Sequence, residues 1–491
     1  MATDTPWLRR ELRAVSHIVP PVVAQFGSQQ LMVATQLVYC GRLSRDALTS
    51  MTVATTMWNI LWMAITGAGG TMDCLGTQAH GSGDARAVKS WALLTTAFLL
   101  LCCLPATAVM AAAKPISEAI FHADKDKSSG IRDCALVLAV SFYPLAFTLG
   151  LQKYLACQRK VWAVGVTSMV TLAVTVGFLE AFVTRSNGFQ SGIVASCWAM
   201  VAARAVNLFA LVAWIAVDEQ WLSTSRRAFV EYVEAYRSVT RDMVIRVVHL
   251  SISGIIMVFG EAFAFELTVI LASGLGEVSL GAHMIALQIA TITFMTGPMA
   301  FGTAASIRVG NLLGQSDPGG AKRAGWLIVG ISVSFMALCA VTILVGMKSI
   351  ADLFTRGDAD IVHALTRIAP FIALFQVFDG LLGCCNGVLR ACGKQALIAK
   401  SNVVSLWFFG IGSAVLFTEV GGVGVRGLWW GLAIGVCCAG SFLAFHCARI
   451  DWVLEARLAE SAATNIERAS STRVDESIKS SPTEDDEETA R

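Results

Sequence analysis

Two glutamates, Glu261 and Glu266, lie inside a long apolar stretch of the sequence, where ionisable side chains are rare. They fall within the apolar run 247–272, well away from either end. A carboxylate at the centre of a bilayer costs roughly 2.5–3.5 kcal/mol on insertion scales. Acids inside membrane segments commonly mark ion pathways or proton relays. The chemistry that this stretch predicts is therefore reversible protonation or cation binding within a membrane.

A third acid, Asp379, lies in the apolar segment LFQVFDGLLGCCNG, which also carries Gln376 and Asn386. Glu261 and Glu266 are five residues apart, so they face directions about 140° apart on a helix, with Glu261 nearer the midplane. We expect the three acids to form one acidic cluster. Burial and like-charge repulsion both favour the protonated carboxyl, so the cluster could exchange protons for a cation. A structural ion pair or a satisfied polar network is the alternative.

The composition indicates a protein that is embedded in a membrane. The chain of 491 residues is 55% hydrophobic and 15% charged, whereas a soluble domain carries about 25% charged residues. The net charge of +2 gives no support for nucleic acid as a partner. The fourteen cysteines form no CxxC motif and often sit in apolar runs, where cysteine acts as a small hydrophobe. Neither a disulfide framework nor a metal or other cofactor is expected.

The apolar runs predict twelve membrane helices, because about 20 apolar residues cross the hydrocarbon core. Basic residues cluster at one end of these runs, which is predicted to face the cytoplasm together with both termini. No cleavable signal peptide is expected. The predicted cores are 18–40, 50–74, 91–113, 134–157, 162–184, 191–217, 246–273, 279–307, 324–347, 364–391, 399–418 and 424–448.

The sequence contains an internal duplication. GSGDARAVK at 81–89 resembles GQSDPGGAK at 314–322, with a glycine, an aspartate and a lysine recurring at a displacement of 233. Displacements of 233 to 235 also pair Phe121 with Phe354, Asp124 with Asp358, Asp126 with Asp360, and ACQRK at 156–160 with ACGKQ at 391–395. Six crossings return the chain to its starting side. The halves are therefore predicted to be parallel repeats that bind substrate between them and rock against each other.

The predicted helices and the duplication divide the chain into five segments. They are a cytoplasmic segment at 1–16, an N-lobe at 17–217, a cytoplasmic linker at 218–241, a C-lobe at 242–450, and an acidic tail at 451–491 that is predicted to be disordered. The polar or aromatic residues predicted to line a substrate cavity are Gln36, Trp58, Trp62, Gln288, Gln376 and Asn386. Arg204 and Glu180 are expected to pair with each other, and Lys153 to extend its amine toward the cytoplasmic surface.

Several segments, in order across roughly residues 15–450, carry a family resemblance. In the C-terminal half they are FELTVILASGLGEVSLGAHMIALQ from Phe265, AASIRVGNLLGQSDPGGAKRA from Ala304, FDGLLGCCNGVLRACGKQ from Phe378 and GVRGLWWG from Gly424. In the N-terminal half they are MDCLGTQAHGSG from Met72 and QKYLACQ from Gln152. With these segments the chain resembles the multidrug and toxic compound extrusion (MATE) transporters, especially the eukaryotic members.

The resemblance implies two six-helix bundles that form a V around a central cleft. It implies export of organic compounds, often cations, against protons or sodium, by a protein that is not an enzyme. Glu261, Glu266 and Asp379 match family acids that are linked to substrate and ion coupling. We expect a monomer among membrane lipids, in the plasma membrane or in a vacuolar or other organelle membrane.

The chain also departs from the family pattern. Gln36 stands where many bacterial members have Asp, and Gln288 stands where many animal members have Glu. Ala262 and Phe263 replace a tryptophan pair, and Gly412 lies near the place of a proline. Proton-coupled export of cations is the expected function. The alternatives are sodium coupling, export of an organic anion such as citrate, and flipping of a lipid-linked precursor.

Overall fold

The computed structural model describes residues 5–120, 125–185, 189–220, 225–355 and 358–461, and these ranges contain helices and no strand. In the first half the helices are α1 (Thr5–Leu43), α2 (Arg45–Ala68), α3 (Thr71–Ser82), α4 (Ala85–Ala111), α5 (Ala113–Ile120), α6 (Lys125–Val140), α7 (Phe142–Cys157), α8 (Val161–Val183), α9 (Phe189–Asp218) and α10 (Ser225–Arg237). In the second half they are α11 (Arg241–Ser273), α12 (Glu277–Thr296), α13 (Pro298–Gly314), α14 (Pro318–Thr355), α15 (Ala359–Ala391), α16 (Gln395–Asn402), α17 (Gly412–Val415) and α18 (Val425–Ala448), with π-helical turns at Val403–Ile411 and Leu416–Val420.

Ten segments of the described chain are long and apolar enough to cross a membrane. They coincide with the ten predicted spans from 91–113 onward, so the predicted all-α, multi-pass membrane fold is confirmed. The first two predicted spans, 18–40 and 50–74, lie largely on α1 and α2, helices of 39 and 24 residues. α1 is less apolar because it carries four glutamines and three prolines. The total of twelve crossings therefore stays a prediction.

The two halves share structural details that follow the sequence duplication. A glycine pair, Gly69 and Gly70, separates α2 from α3, and Gly297 separates α12 from α13 in the second half. Asp84 caps α4 by accepting a hydrogen bond from the amide of Ala87 at 2.9 Å, and its repeat partner Asp317 accepts one from Gly320 at 2.8 Å. The same residue thus has the same structural role in both halves. The side chains of Phe121, Asp124 and Asp126 lie outside the described residues.

The lobes meet where repeat-equivalent helices, α3 and α13, pack against each other. A Cβ atom added to Gly81 would overlap the carbonyl of Asn311, and one added to Gly314 would overlap the carbonyl of Gln78. Gln78 and Asn311 are themselves 233 residues apart. Because the contact is reciprocal, a pseudo-twofold axis passes between α3 and α13, as expected for parallel repeats.

Polar contacts that join the lobes cluster toward the predicted cytoplasmic end. Arg308 of α13 donates two hydrogen bonds to buried Glu11 of α1, at 2.9 and 2.6 Å. Further contacts link Arg390 with Asp73, Gln78 with the carbonyl of Ala391, Gln395 with the carbonyl of Gly70, and Thr71 with Ser251. The structure is therefore closed at this end of the molecule.

The segment between the lobes contains α10 and packs on the same end of the N-lobe. Lys89 Nζ lies 2.7 Å from a carboxylate oxygen of Glu231, and the hydroxyl groups of Ser90 and Ser238 are 2.9 Å apart. The described part of the connection, from α10 to Ser238, is thus tied to α4 rather than extended away from the lobes.

The predicted disordered tail is wrong for its first part, because residues 452–461 form a helix. Trp452, Ala456 and Ala459 are buried against the C-lobe core, at the spacing of one helical face. Glu455 is also buried, and its carboxylate lies 2.6 Å from Lys394 Nζ. The sequence analysis missed this apolar face because the composition of the tail as a whole is acidic and polar. Residues 462–491 lie outside the described chain.

Helices α2 and α11 approach so closely that only glycine fits at Gly67 and Gly254, since a Cβ atom on either would overlap the carbonyl of the other. We expect Gly254→Ala to lower the stability of this closed state by about 1–3 kcal/mol, the usual cost of overpacking. Gly177→Ala is the matched control, because the added methyl group meets nothing within 4 Å. Thermal unfolding in detergent measures the difference; equal melting temperatures for the two variants would contradict the expected overlap.

Candidate functional site: an acidic pair in the C-lobe and a buried cation in the N-lobe

Glu261 is a half-buried residue on α11. It faces the end of α16 and the π-helical turn that follows it. Asn402 donates a hydrogen bond from Nδ2 to Glu261 Oε2 at 3.2 Å. Beside it, the indole N–H of Trp407 donates to the carbonyl of Gly260 at 3.0 Å. π-helical turns of this kind are frequent at functional sites. Here the turn that carries Trp407 fixes the part of α11 that carries the glutamate.

Asp379 projects from α15 into the C-lobe interior, where it is 3% exposed. Phe265, one turn beyond Glu261 on α11, packs edge-on against Phe375, one turn before Asp379 on α15, with ring centroids 6.1 Å apart, so the two acids lie on facing sides of neighbouring helices. Within the described ranges, no basic side chain forms an ion pair with either acid. Arg390, on the same helix as Asp379, contacts Asp73 of the N-lobe instead. Glu261 and Asp379 therefore form an acidic pair without direct neutralisation.

Amide side chains on α15 add polar groups to the same lobe. Gln376 accepts a hydrogen bond from the hydroxyl of Thr293 at 3.0 Å, while its Nε2 has no partner among the described residues. Asn386 lies seven residues beyond Asp379, hence within about 20° of it around the helix, and its Oδ1 also lacks a partner there. Buried polar atoms without protein partners are places where water or an ion commonly binds.

Glu266 lies apart from this pair and is exposed, so the structure does not bring the three predicted acids into one cluster. The direction in which Glu266 points follows from the helix period. Glu266 is eleven residues beyond Ile255, and eleven residues of an α-helix bring a side chain back to within about 20° of the same direction. Ile255 packs against the N-lobe core. Glu266 therefore faces the N-lobe side of α11, three turns beyond the point where the lobes touch.

The other predicted cavity residues separate into buried and exposed ones. Gln36 is 2% exposed and lies inside the N-lobe, with its amide 3.5 Å from the hydroxyl of Ser196. Trp58 is buried and stacks on the half-buried Trp62, with ring centroids 5.8 Å apart. Gln288 is exposed on α12. The structure thus places these residues in different environments rather than on one common wall.

Arg204 does not pair with Glu180, contrary to the sequence-based expectation. Glu180 accepts a hydrogen bond from the hydroxyl of Tyr39 at 2.7 Å. Arg204 is only 7% exposed; it donates a hydrogen bond from Nη1 to the hydroxyl of Ser141, and its guanidinium carbon lies 4.1 Å from the centre of the Trp58 ring. A buried ion costs several kcal/mol, of which a desolvated cation–π contact offsets about 2 kcal/mol.

Lys153 does not extend into solvent either, because it belongs to an ion-pair network that the sequence did not reveal. Its Nζ lies 2.7 and 2.9 Å from the two carboxylate oxygens of Asp73, within the N-lobe. Arg390 reaches the same carboxylate from the C-lobe at 3.3 Å. The signal available in the sequence was Asp73 itself, an acid inside the predicted span 50–74. No cluster of three or more metal-binding side chains occurs in the described part of the chain.

Two parallel helical repeats meet at one end, and each lobe holds buried charged residues that lack an ion-pair partner in the described part of the chain. This arrangement defines a membrane transporter of the two-lobed class. The family model MatE matches residues 21–180 and 254–416, one match in each half and together more than half of the chain. The chain belongs to the MatE family, and it is a transporter rather than an enzyme.

Comparison with individual proteins agrees with this assignment. The chain is 28% identical over 464 residues to multidrug and toxin extrusion protein 2 of Mus musculus, covering 93% of this chain and 77% of that protein. It is 27% identical over 481 residues to "Probable multidrug resistance protein NorM" of Burkholderia mallei, covering 93% and 96%. The crystal structure of the eukaryotic MATE transporter AtDTX14 superimposes with a TM-score of 0.81 at 20% identity, covering 93% of this chain and all of that one.

Proposed function

We propose that this protein exports organic compounds, above all those that carry a positively charged group, in exchange for protons. The observation that carries the proposal is the acidic pair, Glu261 and Asp379, held inside the C-lobe with no basic partner in ion-pair contact among the described residues. Its relatives are described as multidrug and toxin extrusion proteins, which supports export of small organic molecules.

The exchange follows from competition between a proton and a cation for the same carboxyl groups. A carboxylate–cation contact at 4 Å is worth about 4 kcal/mol at an effective dielectric constant near 20. Protonation removes that attraction, so a proton arriving from the outside displaces the bound cation. When the pair faces the cytoplasm and loses its proton, negative charge becomes available to the next cation.

Arg390 connects the acidic pair to the contact between the lobes. Its guanidinium contacts Asp73 of the N-lobe, while its helix, α15, also carries Asp379 of the acidic pair three turns away on the same side. A change of charge at the acidic pair therefore alters the electrostatic potential at Arg390 and, through it, the closure of the cytoplasmic end. Such a link is what an alternating-access exchanger requires, because ligand binding must bias one of two conformations.

The direct test uses the full-length protein in liposomes, with a fluorescent rhodamine methyl ester as the organic cation. In sodium-free buffer an imposed pH gradient is expected to drive dye transport, and dissipating the gradient should stop it. A sodium gradient at equal pH on both sides is expected to drive none. Transport that follows the sodium gradient alone would replace proton coupling by sodium coupling, and transport of citrate but not of the dye would overturn the cationic substrate class.

Glu266 has a different expected role, because it is exposed on the side of α11 that faces the N-lobe. We expect Glu266→Gln to raise the KM for the rhodamine ester about tenfold through loss of charge attraction at the approach to the site. The effect should weaken as salt is added, since exposed charges are screened. Concentration-dependent transport rates at low and high ionic strength measure it; a KM that is unchanged at low salt would contradict this role.

The proposal includes the membrane in which the protein works and the orientation of its termini. Basic residues beside the predicted spans support cytoplasmic termini in a plasma or vacuolar membrane, and we propose that the protein works there as a monomer among lipids.

A further inference from the structure

We propose that the interior of the N-lobe holds a binding site for the carboxylate group of an organic substrate, built around Arg204. The inference rests on the proposed export function and extends its substrate class to compounds that carry both an amine and a carboxylate. Arg204, Trp58, Ser141 and Phe142 form the site, which we call the Arg204 site.

The first argument is the charge itself. Arg204 is 7% exposed and, within the part of the chain that the structure describes, has no carboxylate in ion-pair contact. A guanidinium group carries five N–H donors, and the one hydrogen bond that it forms among the described residues goes to the hydroxyl of Ser141. A buried cation with free donors is stabilised by an anion that accepts two parallel hydrogen bonds, and a carboxylate has the matching geometry.

The second argument is the surrounding aromatic surface, which suits an organic anion better than a hydrated inorganic ion. Trp58 lies over the guanidinium and stacks on Phe142, with an interplanar angle of 5° and ring centroids 5.6 Å apart. On the same helix Trp58 also stacks on Trp62, which is half-buried. The rings thus extend from the buried cation toward the surface of α2. An aromatic or aliphatic carboxylate can pack along them while its charged end reaches Arg204.

The third argument is independent of Arg204 and concerns other polar atoms nearby in the fold. Three buried side chains that lie one or two turns from the Arg204 site on its own helices have oxygen atoms without a described partner: Asn207 on α9, Thr55 on α2 and Thr148 on α7. Asn207 is three residues after Arg204, Thr55 is three residues before Trp58, and Thr148 is seven residues after Ser141. On a helix, offsets of three and seven residues place two side chains on the same side. The N-lobe interior therefore has polar groups to solvate a ligand.

The two lobes thus present opposite charges. The C-lobe contains the acidic pair, which attracts an amine, and the N-lobe contains Arg204, which attracts a carboxylate. A substrate that carries both groups therefore has a partner for its amine in one lobe and a partner for its carboxylate in the other. This complementarity favours amphoteric organic compounds over simple cations.

The test compares two dyes that differ only at one group, a rhodamine with a free carboxyl group and its methyl ester. In liposomes, wild-type protein is expected to show a higher transport efficiency (kcat/KM) for the free acid, and Arg204→Gln is expected to reduce the acid-to-ester ratio at least about tenfold, the size typical of a lost charged hydrogen bond. Arg204→Lys, which keeps the charge but lacks the planar fork, should retain part of the preference. Arg132→Gln, an exposed arginine of the same lobe, is the matched control and should keep the ratio.

A binding measurement separates this inference from the proposed function. In detergent, benzoate should raise the melting temperature of the wild type and of Glu261→Gln, whereas benzamide should not; Arg204→Gln should need at least about tenfold more benzoate for the same shift. Equal benzoate dependence in Arg204→Gln and wild type overturns the site. Chloride that acts at the same concentration as benzoate overturns the organic class, leaving a halide site only. If proton-driven export fails but the benzoate effect depends on Arg204, only the proposed function falls.

Discussion

Replacing Glu261 by glutamine is expected to reduce proton-driven export of the rhodamine ester at least about 100-fold, a loss of about 2.7 kcal/mol of coupling. Glutamine can still accept the hydrogen bond from Asn402, so the fold around α11 and α16 should persist. It does not release a proton, so the competition between proton and cation is lost. Removing one of two repelling acids should leave the stability of the C-lobe equal or higher. Initial rates in liposomes and the melting temperature together check the prediction.

The matched control is Glu180→Gln, which changes a glutamate of the other lobe that contacts Tyr39. This variant should transport like the wild type. Asp379→Asn should resemble Glu261→Gln, and the double variant should be little worse than either single one, because residues that act as a unit are not additive. Normal proton-driven transport by Glu261→Gln would refute the assignment of the acidic pair.

Replacing Arg390 by glutamine is expected to open the cytoplasmic end of the protein. The substitution removes the 3.3 Å contact with Asp73 across the lobes but leaves the 2.7 Å pair between Asp73 and Lys153 within the N-lobe. Breaking a buried ion pair usually costs about 3–5 kcal/mol, and the remaining lysine offsets part of this. We expect the open population to rise at least about tenfold, which corresponds to about 1.4 kcal/mol.

A native cysteine reports this opening. Cys74 is 4% exposed, and its sulfur lies 3.3 Å from where a Cβ atom of Gly393 in the other lobe would be. Separation of the lobes should expose it to a maleimide, and mass spectrometry of the Cys74 peptide measures the rate. Lys394→Gln, which breaks a pair within the C-lobe only, is the control. Equal labelling of Cys74 in both variants would show that Arg390 does not hold the lobes together.

The sequence predicted what depends on local pattern and repetition. The apolar runs located the helices, and the displacement of 233 residues matched helix caps as specific as Asp84 and Asp317. The reciprocal contact of Gly81 with Gly314 belongs to the same duplication. The helices and the duplication follow from local pattern, so the chain alone is enough to infer them, whereas the capping hydrogen bonds and the packing of Gly81 on Gly314 are seen only in the structure.

Features that depend on how helices rotate against one another were not predictable in this way. The rotation of α11 about its own axis decides whether Glu266 points toward the acidic pair or toward the N-lobe. The spacing of residues in the sequence does not determine that rotation. Arg204 and Glu180 are oppositely charged residues in neighbouring spans, yet each finds another partner because Tyr39, Ser141 and Trp58 come closer. The contact between Asp73 and Arg390 joins residues that are distant in the chain, and only packing of the lobes reveals it.

The short helix at 452–461 has a practical consequence for anyone who attaches a reporter to this protein. A fluorescent protein or affinity tag fused directly after residue 450 would remove Trp452 from its seat on the C-lobe and leave Lys394 without Glu455. Fusion beyond residue 461 leaves that docking intact. If a protein truncated at residue 450 gives a poor yield, the first explanation to test is therefore the loss of the docked helix 452–461.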